Sequence, residues 1–190
     1  MQTPPQIFDP KSLAQRHARI RPDGLFLHHL AQEEISIRQA DVNRPFTQMA
    51  IVTHTPQVWT YATADMVTPQ SELSFPNTGY DLIVHAMGLH QSNDPLGQMI
   101  QCRNHLAPDG LFLAVFLGGE TLATLRQVLT QAEQSVRGGV APRIHPMIDV
   151  RDAGGLMQRA GFALPVADIL TQTASYRSVF HMMADLRTLT

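Results

Sequence analysis

The most constraining stretch of the 190-residue chain is residues 80–122, YDLIVHAMGLHQSNDPLGQMIQCRNHLAPDGLFLAVFLGGETL. Two apolar runs, Tyr80–Ala86 and Leu111–Leu117, are too short for independent helices and read as buried strands. Between them, Met87–Pro95 is a loop closed by Asn93-Asp94-Pro95. Asp94 can cap a helix that has Pro95 at its first position, where a missing N–H costs nothing. That helix, about Leu96–Leu106, places Leu96, Met99, Ile100 and Leu106 on one face. Pro108-Asp109-Gly110 is a turn in which Pro sets φ and Gly takes φ > 0. Two buried strands joined by a crossover helix make a right-handed βαβ unit of a parallel sheet. Ligands of such sheets bind outside the carboxyl ends of the strands. Residues 85–93 and 118–121 lie there.

These residues carry a resemblance. The pattern YDLIV, Leu89-His90, Asn93-Asp94 and PDGLFL resembles the segments around the fourth and fifth strands of class I S-adenosylmethionine-dependent methyltransferases. LFLAVFLGGETLATLR and the later APRIHPMIDVRDAGGLMQRAGFALPVAD are more specific. They resemble the methyltransferase-like complex I assembly factor family and, more distantly, the malonyl-carrier-protein methyltransferases of biotin synthesis. The resemblance is strong over 80–168 and poor over 47–79. It implies a three-layer α/β Rossmann-like fold with a mostly parallel sheet. The expected fold is reduced in its first half and lacks the family's terminal strand, with an N-terminal helical segment at 1–44 and the Rossmann-like domain at 45–190.

The implied cofactor is S-adenosyl-L-methionine (SAM). By the resemblance, Thr53, His54 and Thr55 after the first strand, and Ala86, Met87 and His90 after the strand at 80–86, line its site. Asp65, or else Glu72, stands in for the carboxylate that holds the ribose. The first-strand motif departs from the family. With His54-Thr55 on the family's His-Thr, Ala50 replaces an acid, and Val52 and Pro56 replace glycines. Proline donates no N–H and cannot copy a flexible glycine. SAM binding is therefore expected to be weak or lost. Residues 54–79 are also too few for two further βα units of about 25 residues each. A short helix near 56–61, one strand near 62–67 and a polar loop at 68–79 are expected instead.

Elsewhere, Asp9-Pro10 starts a basic helix over Lys11–Ile20, with Ile7 and Phe8 as possible anchors. The plain reading of that helix is a solvated face; in the family it lids the cofactor site or touches substrate. Pro22-Asp23-Gly24 breaks it. Leu25–Val42 is a second helix, expected against the sheet edge, with His28 and His29 as surface or boundary residues. Phe46–Thr53 is the first strand. Thr121–Arg137 is an amphipathic helix ended by Gly138-Gly139. A helix at Val150–Ala160 is capped by Asp149 and closed by Gly161. Phe162–Thr173 reads as a strand or strand pair, and Ser178–Leu189 as a last helix.

Composition narrows the function classes. Apolar residues at 44% and charged ones at 16% suit one globular domain. A net charge of −2 gives no footprint for nucleic acid. No apolar run reaches the roughly 20 residues of a membrane span, and no signal-peptide core is present. The bacterial cytoplasm is the expected compartment. The single cysteine, Cys102, excludes an internal disulfide and a cysteine zinc cage. It reads as a small buried residue.

His85, His90 and His145 are the candidate acid–base groups. Of these, His85 reads as core and His90 as pocket-lining. No motif for a hydrolase, zinc protease or nucleotide triphosphatase is present. Methyl transfer needs mainly alignment, so no catalytic residue is assigned and no metal is expected. The leading expectation is a SAM-dependent methyltransferase with a divergent cofactor site, acting on a small molecule or a protein. The alternative is a non-catalytic assembly or interaction protein in respiratory complex I maturation. Arginine hydroxylation, which the complex I family implies, ranks last for want of an evident iron triad. The apolar groups of the last helix (Val179, Phe180, Met182, Met183, Leu186) lead to the expectation of a homodimer or a protein partner through the C-terminal part.

Overall fold

A computed structural model of the chain describes residues 6–187; the expectations that fall on 1–5 and 188–190 lie outside the described residues. Four parallel strands form the sheet: β1 (Met49–Val52), β2 (Ala64–Val67), β3 (Tyr80–Ala86) and β4 (Leu106–Val115), in the order β2-β1-β3-β4. β3 pairs in parallel with β1 on one side and β4 on the other. The helices are α1 (Pro10–His17), α2 (Phe26–Asp41), α3 (Pro95–His105), α4 (Ala123–Arg137), α5 (Val150–Arg159) and α6 (Val179–Leu186).

Strand alternation builds three layers. Leu82, Val84 and Ala86 of β3 pack with Ile51, Trp59 and the α2 residues Ala31 and Ile35. On the opposite face, Ile83 packs with Ala50, Val52 and Cys102 of α3. A third cluster joins Met99 of α3 to Leu89 and Ala160, with Phe112, Phe116 and Leu156 against it. Each large apolar side chain so buried contributes roughly 1.5–3 kcal/mol. Asp81, the one acid in the β3 run, accepts from the Thr47 amide at 2.7 Å and the Gln48 amide at 3.1 Å. It thereby ties the lead into β1 to the start of β3. The caps follow the sequence: Asp9 accepts from Ser12 N, Asp94 from Gly97 N and Asp149 from Arg151 N.

Several expectations are corrected. β4 is neither central nor a strand of 111–117. It starts at Leu106, ends the described sheet, and is nowhere fully buried. Pro108-Asp109-Gly110 forms a bulge inside it, because pairing passes from Tyr80↔Leu106 directly to Leu82↔Leu111. Asp109, not Gly110, takes the positive φ, at 63°. Gly110 is required for space, since a Cβ there would stand 2.9 Å from the Ala107 and Tyr80 carbonyl oxygens. β1 is only Met49–Val52, and no helix forms over 56–61, where Val58 and Trp59 are drawn into the core. α2 packs on a sheet face rather than an edge, because Ala31 and Ile35 reach the β3 cluster. α4 begins at Ala123, after Leu122 takes φ 58°. Residues 162–173 form no strand; Phe162 instead stacks on Phe112 at 4.6 Å.

Candidate functional site

The site is built where β1 and β3 end. Thr53 and Thr55, the first residues past β1, are buried. Their hydroxyl oxygens lie 3.2 Å apart, the Thr55 amide donates to Thr53 Oγ1 at 3.1 Å, and Thr55 Oγ1 is 2.9 Å from His28 Nδ1. His28 is thus buried, not superficial, because α2 lies across the end of β1; His29 is exposed. His54 turns the other way and stacks on His17 of α1, ring centroids 3.7 Å apart.

From β3, His85 is wholly buried, as the apolar run suggests. Its Nε2 is 2.9 Å from Gln98 Oε1, and Gln98 Nε2 donates to the Gln70 carbonyl at 2.8 Å. Ala86 and Met87 are buried in the core cluster. Met87 has φ 54°, and its N–H donates to the Val115 carbonyl at 2.8 Å. This tight corner turns the chain into a single helical turn over Leu89–Gln91. There His90 and Gln91 are buried, with Gln91 Nε2 3.2 Å from His90 Nε2 and Gln91 Oε1 3.1 Å from His17 Nε2. His145 arrives from the segment before α5. Its ring lies 6.3 Å from that of His90 and meets Phe8 edge-on at 4.9 Å.

The structure therefore brings His17, His54, His90 and His145 into one chain of contacts, with His28 and His85 beneath it. Burial and neighbouring rings push His54 and His90 down to about 3; burial lowers His85 to about 4. Burial also lowers His17 and His145. His17, His54, His85, His90 and His145 are therefore neutral at neutral pH and serve as hydrogen-bonding or stacking groups rather than cations.

Asp65 is not with them. It lies on β2, where its carboxylate accepts from the Tyr80 hydroxyl at 2.6 Å and from Asn77 Nδ2 at 2.9 Å. Tyr80 is the first residue of β3, so this contact is on the amino side of the sheet. The Tyr80 hydrogen bond holds the Asp65 carboxyl below its ordinary range. Glu72 is exposed.

Beside His90 a cavity of about 700 Å³ opens, walled by Leu122, Leu125 and Leu129 and by Met183 of α6. His145, Arg16 and Arg143 also line it. Among the described residues, no group of three or more His, Cys, Asp or Glu is arranged to hold a metal, and no helix is long and apolar enough to cross a membrane.

Sequence reasoning missed His17, His28, Gln91 and Gln98. The signal for His17 was available: Leu13 and His17 share one face of α1, and both are half-buried. Nothing local marks His28, which is buried by a threonine 27 residues away.

No family model matches the chain. Among curated proteins, the rat mitochondrial protein named arginine-hydroxylase NDUFAF5 is 33% identical over 165 residues, 86% of this chain and 46% of its own length. The zebrafish protein of that name is 37% identical over 115 residues, 60% of this chain and 36% of its own. A malonyl-[acyl-carrier protein] O-methyltransferase of Laribacter hongkongensis is 29% identical over 116 residues, 61% of this chain and 37% of its own. The chain thus spans about half or less of the length of these relatives. A solved structure from Bacillus halodurans, described as a candidate methyltransferase, aligns with TM-score 0.46 at 10% identity, over 70% of this chain and 69% of that one. The chain is thus similar in sequence to parts of these curated proteins, and its own parallel sheet with helices on both faces is a Rossmann-like α/β fold.

Proposed function

We propose that the chain is a methyltransferase-like protein whose SAM site is divergent, with weak or absent affinity for the cofactor. The observation that carries this reading is the state of the groups that would hold SAM. The Thr53 and Thr55 hydroxyls are engaged with each other and with His28. The Asp65 carboxylate is engaged by Tyr80 and Asn77 at the other side of the sheet. Pro56 offers no N–H. The residues present do not fit the cofactor in the family's manner. Losing one hydrogen bond to a charged group costs about 1.5–3 kcal/mol, roughly ten- to a hundredfold in affinity. In this reading His54 and His90, being neutral, orient a bound molecule rather than exchange protons with it. The cavity beside His90 takes the acceptor.

The deciding experiment is calorimetric titration with SAM and with its demethylated product. The expected result is a dissociation constant weaker than about 100 μM, or no heat. Micromolar binding of either would overturn the divergent-site reading and restore an ordinary methyltransferase.

A second reading is a non-catalytic assembly module, as the shared ancestry with the NDUFAF5 proteins suggests. One observation favours it: Leu164, Val166 and Phe180 are 92%, 85% and 85% exposed. Apolar groups so displayed fit a protein partner or a second copy over at least about 1,000 Å² in total. Light scattering giving a monomer of 21.1 kDa at tens of micromolar would remove the homodimer.

A further inference from the structure

The N-terminal segment touches the body through a short set of contacts, hydrogen bonds to Asn93 at its start and imidazole contacts beyond it. α1 buries no residue of its own, so packing alone does not hold it. An isolated eight-residue helix is not stable in water, and its docking must come from elsewhere. At its start, Asn93 Oδ1 accepts from the Ile7 and Phe8 amides, both at 2.8 Å, and Asn93 Nδ2 donates to the Phe8 carbonyl at 2.9 Å. The Phe8 ring meets His145. At its end, His17 stacks on His54 and reaches Gln91 Oε1.

The polarity of the last contact fixes the protons. Gln91 Oε1 can only accept, so His17 Nε2 carries a hydrogen. Gln91 Nε2 can only donate, so His90 Nε2 must be bare and its proton must sit on Nδ1. That Nδ1 is buried without a partner. The relay His17→Gln91→His90 therefore exists only while His90 is neutral. A proton on His90 Nε2 would face the Gln91 amide hydrogens. Gln91 would have to turn over, and His17 would lose its acceptor. Protonating His17 and His54 together would place two cations in a stack 3.7 Å apart.

The geometry points to residues 6–17 as a latch, closed over the ends of β1 and β3 while the histidines are neutral and released when they take up protons.

The surrounding charges act in the same direction. Arg16 from α1 and Arg126 from α4 face His145, while His28 from α2 and His85 from β3 face His54 and His90. Among the described residues, the charged groups acting on His54, His90 and His145 are imidazoles and arginines, which disfavour an added positive charge. The sign follows. Closed, His17 and His54 are held below the ordinary histidine value by burial against each other; released, they regain it. Closure is complete above about pH 6.5 and weakens as pH falls below it. Between pH 7.5 and 5.5 each ring so released shifts the opening equilibrium by up to about tenfold, hence up to about a hundredfold for the pair. Release would bare His54 and the floor of the site. The inference does not depend on whether SAM binds.

Amide hydrogen exchange read by mass spectrometry tests it on the whole chain, with rates corrected for the intrinsic pH dependence. Protection of residues 8–17 should fall by up to about a hundredfold from pH 7.5 to 5.5, while β3 keeps its protection. His54→Phe keeps a ring in the stack but removes its proton, and should cut the step to at most about tenfold. If that variant does not fold, His17→Phe should likewise shrink the step. Equal protection of 8–17 at both pH values, equal loss in β3, or an unchanged step in the folded variant would each overturn the latch.

Discussion

β3 and β4 are written in nearly the same alphabet, yet they sit in opposite conditions. Every residue of β3 except Asp81 is buried; no residue of β4 is. The difference does not come from side-chain character. β3 has a strand on each edge and helices on both faces, whereas β4 has a strand partner only in β3 among the described residues. The loops continue the contrast. Residues 87–91 after β3 are all buried, and residues 116–122 after β4 contain none. An apolar run thus states that a strand can be buried, and the neighbours decide whether it is. The site inherits this asymmetry, with desolvated imidazoles on the β1–β3 side and an open, leucine-walled cavity toward α4 and α6.

The largest test of the contrast is truncation of equivalent leucines. Leu82→Ala in β3 should cost about 3–4 kcal/mol by urea denaturation, and Leu113→Ala in β4 about 1–2, because the half-exposed site leaves less of a cavity. Equal costs would break the comparison.

Next comes pH. His85 is wholly buried, with a folded value near 4 against about 6.5 when unfolded. Its contribution is fully present above about pH 6.5 and is lost as pH falls toward 4, at up to about 1.4 kcal/mol per pH unit. His85→Gln should flatten that part of the stability–pH curve, which thermal melts across pH 4–7 would show.

The smallest effect belongs to the open half. Phe180→Asp should change monomer stability by no more than about 0.5 kcal/mol, since the ring is 85% exposed. Unfolding on that substitution would make α6 part of the core. A loss of association without unfolding would make it an interface.

The legible part of the molecule is the part governed by local rules. The caps at Asp9, Asp94 and Asp149 can be read because a carboxylate two or three residues ahead of free amides has one evident use. The single strand between β1 and β3 could be counted because 54–79 leaves no room for two further units. What was not legible depends on distant partners. His28 looks superficial beside His29 until Thr55 is placed over it. Asp65 looks free to bind a ribose until Tyr80 is seen to occupy it. Pro108-Asp109-Gly110 reads equally well as a turn or a bulge, and only the β3 register separates the two. His54 and His90 were marked by resemblance, but their joining through His17 and Gln91 was not.

The helix-free link between β1 and β2 has a kinetic consequence. Parallel strands ordinarily wait for a crossover of about a dozen residues or more, usually with a helix to form and dock, before they can register. Here residues 53–63 suffice, and Val58 and Trp59 within them supply the apolar contact that draws the link under the sheet. Ile51 meets Met66 across a much smaller loop than the one that brings it to Val84. The chain entropy lost before contact is correspondingly lower. The β1–β2 pair is therefore suited to be the nucleus on which the longer-range β3 closes, and the sole tryptophan of the chain stands inside it.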